Sequence, residues 1–194
     1  MELIVDDDSW YVLLTNDISI EQGDIIEDCK ILVPCEDSYQ ALLAEADAEV
    51  EQEMEYIQGN FIIMSQSCDL SNDKIDSVVV CLIISLRDAN IKFPALTLGN
   101  HKQREALRRG NLPSLYLLNQ LQLNSQDAED YYCVCFEHIY SIPKKYLLKL
   151  IEHQTRYRLL SPYKESLAQS FAKYFMRVGL PKDIDKTAIK CYSI

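Results

Sequence analysis

Two apolar runs, 61-FIIM-64 and 78-VVVCLII-84, constrain this chain most. Both are short and rich in β-branched residues. Turn residues bound them, with Gly59-Asn60 ahead of the first and Ser71-Asn72-Asp73 between the two. Runs of this kind read as buried strands, over 61–66 and 77–84. Neither approaches the length of about 18 apolar residues that marks a membrane-spanning helix. Three more segments have strand composition: 9–15 (SWYVLLT), 24–33 (DIIEDCKILV) and 131–139 (YYCVCFEHI), with Gly23 as a turn between the first two. The stretch 114–119, SLYLLN, suits a strand or a short helix.

Helical signals sit between and after these strands. Residues 40–57 hold strong helix formers and no Gly or Pro. Leu42, Leu43, Ala46, Val50, Met54 and Ile57 recur at three- and four-residue intervals, which predicts an amphipathic helix with an acidic outer face; a mobile acidic insertion is the alternative. Asn100 and Gly110 bracket a helix over 100–109. Pro143 opens another over 144–153. Over 161–181, Ser161 stands at the N-cap, Pro162 at the first helical position, and Gly179 and Pro181 beyond the end. Strands first and helices last, without βαβ alternation, predict an α+β fold on a mainly antiparallel small sheet or barrel. At 194 residues and 48% hydrophobic content, one core suffices. The expected division is a β-rich core over 1–142, with helical insertions near 40–57 and 100–109, and a helical segment over 143–194 packed on it.

Charge is divided unevenly. Residues 1–60 hold 17 acidic side chains against one lysine, while 61–194 hold 13 acidic and 18 basic ones. An acidic first third can repel nucleic acid, dock on the basic remainder or dock on a basic partner. The opening MELIVDDD is acidic where a secretory signal is basic, so a soluble, cytoplasmic protein without membrane contact is expected. Seven cysteines at irregular spacings fit reduced thiols better than a disulfide framework.

Most familiar chemistries find no support. The five glycines are isolated, so no loop cradles a phosphate, and neither H-E-x-x-H nor C-x-x-C occurs. No cofactor is expected. A metal site would need Cys133, Cys135 and His138. The two cysteines share one strand face, which equally describes a core face. In 65-SQSCD-69, Ser65, Cys68 and Asp69 are the catalytic suspects. Cys68 would need one of His101, His138 and His153 as base, and the neighbouring carboxylate raises a thiol pKa. Asp69 equally suits a helix cap or an Asx turn. The basic element 101-HKQREALRRG-110 offers Lys102, Arg104, Arg108 and Arg109 for nucleic acid or a partner. Lys144, Lys145, Lys149, Arg156 and Arg158 add positive charge, with Tyr146 and Tyr157 interleaved. A solvated helix face, or a dock for the acidic 45–55 segment, explains the same residues.

The segments 22-QGDII-26, 61-FIIMSQS-67 and 78-VVVCLIIS-85 together resemble the strand skeleton of the MazF/PemK-like family, over about the first 90 residues. That resemblance implies an SH3-like β-barrel and, in many members, an endoribonuclease toxin of a toxin–antitoxin pair. The position of the family's catalytic Arg holds Gly59-Asn60 here, and that of its Thr holds Ile84. The segment 158-RLLSPYKESLAQSFAKYFMRVGLP-181 resembles an ending found in uncharacterised bacterial proteins of defence or toxin–antitoxin loci. The expectation is a non-catalytic interaction or regulatory component of such a system that binds a protein partner, with nucleic acid as a further candidate ligand. A nuclease with displaced catalytic groups, or a structural subunit of an oligomer, is the alternative.

Overall fold

The computed structural model describes residues 9–15, 19–36, 39, 43, 54–123, 129–152, 154–176, 185, 190 and 191. Seven strands are formed: β1 (Tyr11–Leu14), β2 (Asp24–Pro34), β3 (Met54–Ile63), β4 (Ser77–Ser85), β5 (Leu115–Leu121), β6 (Asp130–Pro143) and β7 (Arg156–Leu159). They make one sheet in the order β1-β7-β2-β3-β4-β6-β5, with every neighbouring pair antiparallel. Among the described residues the bounded α-helices are α1 (Ser67–Ser71), α2 (Leu86–Lys92), α3 (His101–Arg108), α4 (Lys144–Ile151) and α5 (Tyr163–Phe175). The fold is therefore α+β on an antiparallel sheet, and the sheet is not closed into a barrel: β1 and β5 are its two ends.

Alternation along β4 shows how both sheet faces are used. Val79, Cys81 and Ile83 join the cluster that includes Ile62, Val134, Phe136 and Leu167 of α5. Val78 and Val80 face the other way, against Leu70 of α1 and Leu147 and Ile151 of α4. Farther along that second face, Leu82 and Ile84 meet Ala89 of α2 and Leu107 of α3. A strand buried on both faces explains why 78–84 is continuously apolar. Fully burying each such side chain stabilises the fold by about 1.5–3 kcal/mol.

Register shifts bend the sheet at three places, one of them in β5 between Leu118 and Leu121. In β2, Glu27 and Asp28 together oppose Asn60, Asp28 takes φ 51°, and its N–H donates to Asn60 Oδ1 at 3.0 Å. Between β4 and β6 the register passes from Cys81↔Ile139 to Leu82↔Cys135, so Phe136, Glu137 and His138 lie outside the ladder. The bends bring the two ends of the sheet close enough for the Tyr11 hydroxyl to donate to the Asn119 carbonyl at 3.0 Å.

Several expected elements take different forms. Residues 54–57 are not helical; they are the start of β3, paired with Ile31–Pro34. Leu43 is helical, and the rest of 40–53 lies outside the described residues. Residues 114–119 become strand, as β5. The last helix begins at Tyr163 with Pro162 at its N-cap and ends at Phe175, while Gly179 and Pro181 lie outside the described residues. The 143–194 stretch is not wholly helical: between α4 and α5 it supplies β7, which enters the sheet between β1 and β2.

Candidate functional site

The polar stretch after β3 is held in local structure. Ser65 Oγ accepts from Val79 N–H at 2.9 Å, and Ser67 Oγ accepts from Gln22 N–H at 3.1 Å. Gln22 Nε2 donates to the Met64 carbonyl at 2.8 Å. Cys68 is exposed in the first turn of α1, its thiol 3.6 Å from Gln66 Oε1 and 3.7 Å from Asp69 Oδ1. Asp69 pairs with Lys74 at 3.5 Å. No histidine is among the recorded partners of Ser65, Cys68 or Asp69, and His153 lies outside the described residues. These groups dock the 19–24 loop onto the end of β3.

That loop carries an ion-pair network. Asp24, the first residue of β2, is wholly buried, and Arg156 of β7 is 1% exposed. Arg156 Nε donates to Asp24 Oδ2 at 3.0 Å, and Arg158 Nη2 donates to the same oxygen at 2.9 Å. Arg158 Nε also donates to Asp24 Oδ1. Arg158 Nη1 reaches Glu21 Oε1 at 2.9 Å, and both guanidinium groups donate to the Ser19 carbonyl. A carboxylate bonded on both oxygens by two guanidinium groups is a charge-assisted arrangement that survives burial. Arg156 and Arg158 are thus committed to the fold. Lys144 is likewise bonded to the Leu70 carbonyl and to Asp73, whose carboxyl is held below its usual range by that hydrogen bond.

Cys133 and Cys135 are fully buried among Leu98, Leu107 and Leu115. Burial pushes both thiols up to about 12. The His138 ring centroid lies 6.3 Å from that of Phe93, its Nδ1 is 3.4 Å from the Tyr140 hydroxyl, and desolvation, helped by Lys92, lowers its pKa. Among the described residues, no group of three or more His, Cys, Asp or Glu side chains comes together to hold a metal ion.

The basic element of α3 opens onto a different feature. A cleft of about 570 Å³ lies between the end of α3, β5 and α5, with Arg108, Arg109, Tyr116, Tyr163 and Lys173 in its walls. A second, of about 490 Å³, is lined by His101, Arg104, Glu105, Asn119 and Tyr131. Trp10, Arg108 and Leu117 belong to both, so the two are lobes of one groove that follows β5. Trp10 stacks on Tyr163, with ring centroids 4.0 Å apart and planes 12° apart. Three of the four basic residues singled out in the sequence line this groove. Lys102 does not.

The arginines are already bonded. Arg108 donates to both oxygens of Glu105, at 2.7 and 2.8 Å, and Arg109 Nε donates at 2.6 Å. These bonds hold the Glu105 carboxyl down at about 2. Arg104 Nη1 donates to the carbonyls of Leu98 and Gly99, at 3.1 and 2.7 Å. Arg108 and Arg109 remain about two-thirds exposed and can take a further anion.

Trp10, Tyr116, Tyr163 and Lys173 were not legible as site residues, because they come from 9–15, 114–119 and 163–173 and meet only through the curl of the sheet. The one local signal was the run of arginines on a short capped helix. No family model and no curated protein matches the chain.

Proposed function

We propose that this chain is a non-catalytic interaction module that holds an anionic segment of a protein partner in the groove along β5. The observation that carries the reading is the groove itself: arginines and aromatic rings from three separate parts of the chain converge on one edge of the sheet. Against catalysis at 65–69, Ser65 and Asp69 each have a structural partner there. A bacterial defence or toxin–antitoxin setting, in the cytoplasm, belongs to the same proposal. Its support is the resemblance to MazF/PemK-like SH3 barrels, whose three matched segments fall on or beside β2, β3 and β4, neighbours in this sheet. No helix among the described residues is long and apolar enough to cross a membrane.

A photo-crosslinking residue placed at Tyr116, and separately at the exposed Leu32 on β2, tests this directly in the native cell. The groove reading expects a discrete adduct from position 116 and none of the same mass from position 32. The same adduct from both, or from neither, would refute it. A second reading, single-stranded nucleic acid in the groove, is favoured by the interleaving of Arg104, Arg108 and Arg109 with Trp10, Tyr116 and Tyr131. It predicts an adduct that disappears on nuclease treatment.

A further inference from the structure

The groove follows the outer side of β5, which among the described residues pairs with β6 alone. The Ser114 carbonyl accepts from Phe136 N–H at 2.9 Å, so the backbone of 114 points toward β6. The Asn119 carbonyl points the opposite way, to the Tyr11 hydroxyl. Strand alternation then directs the N–H and C=O of Leu117 outward. Among the described residues no partner is recorded for that pair of groups. Leu117 is the one β5 residue that lines both lobes.

An open strand edge is usually blunted by charge, by a bulge or by a covering element. Here β5 carries a register shift between Leu118 and Leu121, and cations, Arg104, Arg108 and Lys173, line the groove beside the edge, with Glu105 the one acidic side chain of the lining among the described residues. Resting on the groove reading above, we propose that the occupant is an extended, carboxylate-bearing segment of a partner protein that pairs with β5 as an added strand. Its backbone bonds Leu117 and its neighbours, and its acidic side chains meet Arg104, Arg108 and Arg109. With the Leu115 N–H donating to the Leu112 carbonyl at 3.1 Å and the Asn119 carbonyl taken by Tyr11, the open edge is centred on Leu117 and suits a segment of about three residues, or roughly 10 Å. Backbone pairing supplies affinity and the arginines supply the preference for acid.

The test uses the full chain and synthetic probes of about twelve residues each, a length that exceeds the edge. One alternates Val and Glu, one alternates Val and Lys, and two copies of the Val–Glu peptide are N-methylated at every second residue, in either phase. Binding is followed by fluorescence anisotropy and by amide hydrogen exchange at Leu117. The expected result is binding of the Val–Glu peptide with slowed exchange at Leu117. At least one N-methylated copy should weaken by about tenfold, as lost backbone bonds require. The Arg108→Glu/Arg109→Glu variant should weaken the unmodified peptide by about tenfold, and Val–Lys should then become the better ligand. Equal binding of all three Val–Glu peptides would overturn strand addition while leaving the groove as an anion site. Binding of an oligothymidylate of about twenty nucleotides, a length that suits a stacking groove, with no peptide bound, would overturn it in favour of nucleic acid. Binding of none of these would overturn both the strand-addition proposal and the groove reading.

Discussion

Asp24 and Arg156, 132 residues apart in the chain, meet as an ion pair at 3.0 Å with neither side chain open to solvent. The pair ties the start of β2 to the start of β7, and so holds the C-terminal part of the chain inside the sheet. Removing one partner leaves a buried charge uncompensated. Asp24→Ala is therefore expected to cost about 3–5 kcal/mol. Arg158→Ala should cost less, because the Arg158 side chain is 12% exposed and water can replace part of what it loses. Urea denaturation of the two variants gives the comparison, and equal midpoints would contradict the ordering.

Gly23 precedes that pair in a turn with φ +88°, and a Cβ there would stand 3.1 Å from Leu159 Cβ. Gly110 has φ +71° with nothing within 4 Å. Alanine at either position takes a left-handed backbone, at a cost of about 1–2 kcal/mol. Gly23→Ala should cost more than Gly110→Ala because it also displaces β7. Thermal melts of both variants separate the steric effect from the conformational one.

Thiol reactivity should divide by burial. Burial raises Cys81, Cys133 and Cys135 to about 12 and Cys29 to about 11, whereas Cys68 and Cys191 are exposed. An aromatic disulfide reagent near pH 8 should modify Cys68 and Cys191 within seconds to minutes. The four buried thiols should react only on unfolding. Mass mapping of the labelled sites checks this. Fast labelling at Cys133 or Cys135 would reopen them as ligands or nucleophiles.

Glu105 gives a pH dependence with a definite sign. Its pKa is depressed from 4.5 to about 2 by the hydrogen bonds from Arg108 and Arg109. The pairing is therefore complete above about pH 4.5 and is lost as pH falls through about 2. The groups are solvent-screened, so high salt should bring the carboxyl back toward its ordinary value. A carbon-detected NMR titration at low and high salt reads this. Glu105→Gln should leave the fold intact and strengthen anion binding by a fewfold, since it removes the negative charge already bonded to the two arginines.

The apolar strands were readable because each is buried by its own side chains: 24–33, 77–84 and 131–139 became β2, β4 and β6 with their ends moved by a few residues. β7 was not. Its sequence, RYRL, does alternate, with Tyr157 and Leu159 on one core cluster, but four residues are too short a run to stand out, and Arg156 and Arg158 fix it by finding Asp24 on β2. Met54–Ile57 was read as the end of a helix, since Met54 and Ile57 also fit a three-residue interval. Pairing with Ile31–Pro34 decided it as strand. The groove was half legible. Arg104, Arg108 and Arg109 announce themselves locally, whereas Trp10 and Tyr163 join them through long-range curvature that no local pattern encodes.

The groove along β5 is most directly tested by purifying the tagged chain and its Arg104→Ala/Arg108→Ala/Arg109→Ala variant from the native cell, both with nuclease treatment, and quantifying what is retained. The groove proposal predicts a stoichiometric protein retained by the native chain and lost from the variant, with both chains equally folded by circular dichroism. Equal retention by the two, or retention of nucleic acid alone when nuclease is omitted, would contradict it.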